Sequence, residues 1–174
     1  MKEENQKKIK LAKLFYKFAL AASENILYSE ERLDYYEVFA YYRHVAERSE
    51  LELTKTEERK GANILEHVGI YMMMLQLNQV LKDEWGDNRI YSKDKDIQNV
   101  SQIVRLIRNA FAHDPFKPMW DISKSAKNRV FEIPKVLTLK THNLHDKRVQ
   151  PKDYGGQLAL LRLVEFAERK LLNE

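Results

Sequence analysis

The sequence predicts an all-α fold, a bundle of about five helices with a small β-hairpin inserted before the last one. Three observations carry this. Only 5 Gly and 4 Pro punctuate 174 residues, and Leu, Ala, Glu and Lys, which are good helix formers, dominate the rest. Apolar residues recur at steps of three and four through most of the chain. One stretch alone, about 116–139, switches to β-branched and aromatic runs.

In order, the first helix is expected over about 5–27, where Ile9, Ala12, Leu14, Phe15, Phe18, Ala19 and Ala22 form a stripe between lysines. Ser29 followed by two glutamates reads as a cap with an acidic first turn, opening a second helix to about 48 through Leu33, Tyr36, Phe39 and Val45. Thr54 or Thr56 caps a third, the longest, with Ile64, Leu65, Val68, Tyr71, Met72, Leu75 and Val80 on its apolar side. Gly86-Asp-Asn stops it. A fourth runs from about Asp94 to Ala112 and meets Asp114-Pro115, which turns the chain out of helix. The strands of the hairpin are expected at Phe116–Ile122 and Val130–Leu139, with Pro134 marking an edge or a bulge. A turn-rich segment from His142 to Gly156 leads to the last helix, with Leu158, Leu161, Val164 and Leu171 along it.

Length favours one domain over 1–174, large enough to build a core without staples. No Cys is present, which rules out a disulfide scaffold, thiolate metal sites and a cysteine nucleophile. The charged N-terminus lacks the apolar run of a signal peptide, and the most apolar stretch, 64–81, is broken by Glu66, His67 and Gln76. A cytoplasmic protein without a membrane span is expected. The formal charge of +4 is unevenly spread: residues 117–152 hold nine Lys or Arg against three acids, +6, and the remainder nets −2. A basic hairpin and loop (about 116–152) suits a phosphate-bearing partner, although solvated loops also carry lysine.

Chemistry points to one segment. Val100, Ile103, Val104, Ile107, Ala110 and Phe111 form an apolar stripe, opposite which Arg105, Asn109 and His113 line up at four-residue steps. Arg108 and His113, five apart, sit about 140° from each other on an ideal helix. They share a face only if the helix unwinds first. The run Arg108-Asn109-Ala-Phe-Ala-His113 resembles the Arg-x4–6-His motif of HEPN domains, in which a polar residue often follows the Arg. The resemblance implies a HEPN-like bundle and a metal-independent endoribonuclease of the toxin or defence kind, acting as a homodimer and needing no cofactor. Arg108 and His113 would be the catalytic pair, with Asn109 the intervening polar residue. Pro115 stands where HEPN toxins paired with nucleotidyltransferase antitoxins commonly carry a Tyr, and the hairpin lies outside the minimal bundle.

The chemistry is coherent. RNA supplies its own nucleophile, the 2′-hydroxyl, so a near-neutral proton carrier and a fixed cation suffice, roles that His113 and Arg108 fit. Arg105, Lys117, Lys124, Lys127 and Arg129 are the expected contacts to the RNA backbone. Phe111, Phe116, Met119 and Trp120 could bury a dimer contact or pack within one subunit. The competing reading is a non-catalytic helical module that binds nucleic acid or a protein partner, such as an antitoxin, through the same surface. Other candidates are weaker. Glu66-His67 point about 100° apart on a helix, and His142 with His145 would need metal ligands from elsewhere. Tyr35, Tyr36, Tyr41 and Tyr42 could stack bases but fit a core or interface equally well, and Met72-Met-Met74 reads as packing. No Gly-rich phosphate loop, GxSxG or HExxH occurs.

Overall fold

The computed structural model describes residues 1–28, 38–41, 44–47 and 53–172. Four α-helices occur among them: α1 (Glu3–Tyr28), α2 (Lys55–Trp85), α3 (Lys95–Ala112) and α4 (Gln157–Leu172). Two antiparallel hairpins accompany them, β1–β2 (Val38–Tyr41 and His44–Glu47) and β3–β4 (Val130–Ile133 and Leu137–Lys140). No helix among the described residues is long and apolar enough to cross a membrane.

The helix signals act as the sequence implies. Thr54 and Glu57 form a reciprocal capping box, Glu57 N–H donating to Thr54 Oγ1 at 3.3 Å and Thr54 N–H to Glu57 Oε2 at 2.8 Å, which satisfies donors the first turn leaves open. Gly86, at φ 78°, ends α2 with its N–H on the Lys82 carbonyl, a backbone angle that costs glycine little. Asp94 caps α3, its Oδ1 accepting from the N–H groups of Asp96 and Ile97.

Helix α1 lies along α2, α2 packs on α3, and α4 touches α1, α3 and β4. The α1–α2 approach is close enough that a Cβ at Gly69 would stand 2.9 Å from Ala19 Cβ. Small residues therefore face the seam. On α1 the buried positions are Asn5, Ile9, Ala12, Tyr16, Ala19 and Ser23, while Leu14, Phe15 and Phe18 of the expected stripe are exposed. On α2 the buried face runs through Ala62, Glu66, Gly69, Ile70, Met73, Met74 and Leu77 rather than through Met72 and Leu75. A helix with apolar residues on several sides does not say which one faces the core, and close packing against its neighbour decides it.

Two expectations need correction. A helix over 29–48 does not form at 38–41 and 44–47, where the backbone makes β1 and β2 in the register Val38 to Glu47 and Tyr41 to His44; the rest of that span lies outside the described residues. Val38, Phe39, Tyr41 and Val45 favour an extended chain, so the count of about five helices becomes four among the described residues. The hairpin before the last helix forms within the second expected run and one residue beyond it, at Lys140. Val130–Ile133 pairs with Leu137–Lys140, their burial alternating, because Pro134 starts the turn and Lys135 takes φ 62°. The first expected strand, Phe116–Ile122, contributes a single bridge, Met119 to Arg148. Asn99 Nδ2 donates to the Glu132 carbonyl at 2.7 Å and holds β3 against α3.

Candidate nucleic-acid interface at the end of helix α3

The motif sits where the core meets solvent. Val100, Ile103, Val104, Ile107, Ala110 and Phe111 are buried as the stripe implies, and so are Ser101, Gln102 and Leu106. Burial on three sides leaves Arg105, Arg108 and Asn109 partly exposed and His113 open to solvent. His113 keeps helical backbone angles, φ −78° and ψ −42°, so the last turn does not unwind and the two motif side chains remain about 140° apart in projection. The turn comes one residue later, where Asp114 Oδ1 accepts from the N–H groups of Phe116 and Lys117 at 2.9 and 3.1 Å.

A carboxylate that sequence reasoning did not single out joins His113. Asp121 Oδ2 lies 3.9 Å from His113 Nε2, with the two side chains 53% and 79% exposed. Eight residues along and across an aperiodic loop, Asp121 gave no signal that spacing could detect. It is set by its neighbours: Trp120 is buried, its Nε1–H donating to Asp153 Oδ2 at 2.9 Å, and its backbone pairs with Lys147 and Asp146.

Towards the same helix end stands a group of guanidinium cations. Arg105 donates to Gln102 Oε1 at 2.9 Å and to Ser123 Oγ at 3.2 Å. Burial lowers its pKa from the usual guanidinium range; Tyr91 opposes the fall, Arg108 adds to it and Asp121 opposes it. Arg89, in the short 3-10 turn Asp87–Tyr91, is 7% exposed and donates to the Gly86 carbonyl and to Asn78 Oδ1. Burial lowers its pKa too, with Asp87 opposing and Arg108 and Arg105 contributing. Arg108 has a buried Nε with no hydrogen-bond partner. Among the described residues no carboxylate lies within salt-bridge distance of any of the three. Three guanidinium groups against Asp87 and Asp121, both outside ion-pair distance, leave a local excess of positive charge that favours an anion.

The basic residues are brought to this face in part. Lys117 belongs to the Asp114 turn, and Lys124 and Lys127 follow Ser123, the partner of Arg105; all three are exposed. Arg129 is exposed at the start of β3, its N–H on Thr141 Oγ1. Of the four apolar residues considered for a dimer contact, Phe111 and Trp120 are core residues at 1% exposure, whereas Phe116 and Met119 are 63% and 37% exposed. Only the latter pair is open to solvent. His145 accepts from the Ile122 N–H through Nδ1 at 3.1 Å, a structural role. Tyr41 lies in β1, and Tyr35, Tyr36 and Tyr42 fall outside the described residues.

Behind the motif helix, a cavity of about 540 Å³ opens between α1, α2 and the loop before α4, walled by His67, Phe111, Phe116 and Tyr154. His67 Nδ1–H donates to the Pro115 carbonyl at 3.1 Å, and its ring meets Phe111 edge-on at 5.6 Å. Burial lowers the His67 pKa, the Pro115 bond opposes this and Arg148 adds to it. Burial raises the Glu66 carboxyl, against a hydrogen bond from Gln157. With the geometry in hand, no protein-family model, no curated protein and no solved structure was found to match this chain.

Proposed function

We propose that the chain is a metal-independent endoribonuclease of HEPN type. The observation that supports this best is His113 beside Asp121 at 3.9 Å, on the helix end that also carries the cations Arg105 and Arg108. In the proposed reaction the 2′-hydroxyl oxygen attacks the adjacent phosphorus and the bond from phosphorus to the 5′-oxygen breaks. The products are a 2′,3′-cyclic phosphate and a 5′-hydroxyl. His113 moves a proton at this centre, accepting it from the 2′-hydroxyl or delivering it to the 5′-oxygen. Asp121 stabilises the imidazolium that forms, Arg108 offsets the charge growing on the phosphoryl oxygens, and Asn109 orients one of the reacting groups. Lys117, Lys124, Lys127 and Arg129 hold the strand.

One His per subunit supplies one proton carrier, while the reaction uses an acid and a base. A homodimer that brings two His113 residues to one groove meets that need, and Met119, 37% exposed beside the motif, is available for its contact. The helical backbone at His113 favours a second reading, a binding module without turnover, because it holds His113 away from Arg108 within one subunit. Incubating the purified protein with RNA in EDTA and analysing the product ends separates the two. Cyclic phosphate ends that vanish in His113→Ala and Arg108→Ala support the nuclease; salt-dependent binding with intact RNA supports the module.

A further inference from the structure

The cavity behind α3 is built from residues that the cleavage chemistry does not use. His67, Phe111 and Phe116 give it flat aromatic walls, and Glu66 adds a nearly buried carboxyl. Lys60 and Arg148 stand at its edge, exposed, with no carboxylate within 4 Å among the described residues, and outnumber the one exposed acid there, Glu24. An aromatic slot edged by free cations complements a flat heterocycle borne on a phosphate chain, and a carboxyl inside it can pair with ring N–H groups. The cavity is also next to the motif by construction. Phe111 precedes His113 by two helical residues, about 5 Å between Cα atoms, and Phe116 follows it by three, at most about 11 Å. His67 binds Pro115, two residues past His113.

We propose that this cavity receives one unstacked base of a single-stranded RNA whose neighbouring phosphate lies at the His113 end of α3. The inference rests on the nuclease reading for the direction of the strand and adds to it a base subsite. The base stacks on Phe116 and His67, Glu66 and Gln157 meet its polar edge, and Lys60 and Arg148 hold the phosphates on either side. His67, kept neutral near pH 7 by burial, offers an uncharged stacking face. A paired base cannot enter, so single strands and loops are selected over duplex.

A short oligoribonucleotide carrying a single 2-aminopurine, mixed with the full-length protein in EDTA at fixed salt, tests the proposal. Anisotropy of an end label reports total binding, and 2-aminopurine emission reports stacking. Binding should quench the emission, and Phe116→Ala should weaken binding about ten-fold, the size of one base–aromatic stack. Ile64→Trp, which fills the cavity from its wall, should abolish quenching without removing a contact. Bound strand with unquenched emission, Phe116→Ala binding like the parent, or no binding at all overturns the base subsite. Cleavage is scored separately with and without His113→Ala. His113-dependent cleavage without quenching removes the subsite and leaves the nuclease; quenching without such cleavage does the reverse.

Discussion

The end of α3 presents two histidine environments on opposite sides of the chain segment 111–116, and they differ in almost every physical respect. His113 is 79% exposed, with a carboxylate 3.9 Å away that also acts on Arg105. His67 is half-buried, bound to a carbonyl, edged against Phe111 and depressed by burial. An exposed imidazole beside a carboxylate is open to a substrate, while an enclosed one is suited to packing and shape. The contrast teaches that a histidine's role here follows from its access to water and charge, since both sit one helical turn or less from a helix break or cavity wall.

The largest effect should separate the two outright. His113→Ala should lower RNA cleavage by at least about 10²-fold, the usual loss when a proton carrier is removed, whereas His67→Gln should leave the chemical step within a few-fold and change substrate affinity. Initial rates on one labelled RNA for both variants check this; equal losses would erase the distinction. Next in size is the wall between the regions. Trp120→Ala removes a 1% exposed side chain that positions Asp121 and should cost about 3–5 kcal/mol of stability, read by urea denaturation. Phe116→Ala, 63% exposed, should change stability by less than about 0.5 kcal/mol.

The acid response sharpens the comparison further. A folded-state pKa of His67 below its ordinary 6.5 means that the unfolded chain binds the extra proton first. Its contribution to stability is complete above 6.5 and is lost as pH falls from there through the lowered value. Glu66 acts with the opposite sign. Its raised pKa makes the carboxylate unfavourable in the fold, so its share of stability declines as pH rises from 4.5 through the raised value. His67→Gln should therefore flatten the loss of stability on acidifying below pH 6.5, and Glu66→Gln should stabilise the protein at pH 7 relative to pH 4. Denaturation midpoints across that range check both signs. The smallest effect belongs to the outer rim. Lys124→Ala and Lys127→Ala should each weaken RNA binding modestly and reduce the slope of log affinity against log salt by about 0.7, measured by titration at several salt concentrations.

Much of the fold is legible where the signal is local. The box between Thr54 and Glu57, the Asp94 cap, the stop at Gly86 and the break at Asp114-Pro115 each rest on hydrogen bonds or dihedral preferences within a few residues. Local signals also mislead when two structures compete for the same residues. Phe39 and Val45 fit a helical stripe and a strand equally, and Pro134 reads as a flaw inside a long strand until the chain reverses on it. The faces of α1 and α2 were ambiguous for a different reason, because both helices carry more apolar residues than one stripe needs.

The sequence by itself determined the helical class, the ends of α2 and α3, the place of the hairpin before the last helix, and the surfacing of Arg105, Asn109 and His113, since all of these follow from periodicity and short-range bonding. Only the tertiary structure decided that Asp121 stands beside His113, that three arginines from two segments share one region, and that His67 closes a cavity under Pro115. Those placements depend on contacts between residues far apart in the chain, such as Trp120 on Asp153 and Met119 against Arg148. No spacing along a single sequence encodes which distant partner will meet, because the packing that selects it is a property of the whole core.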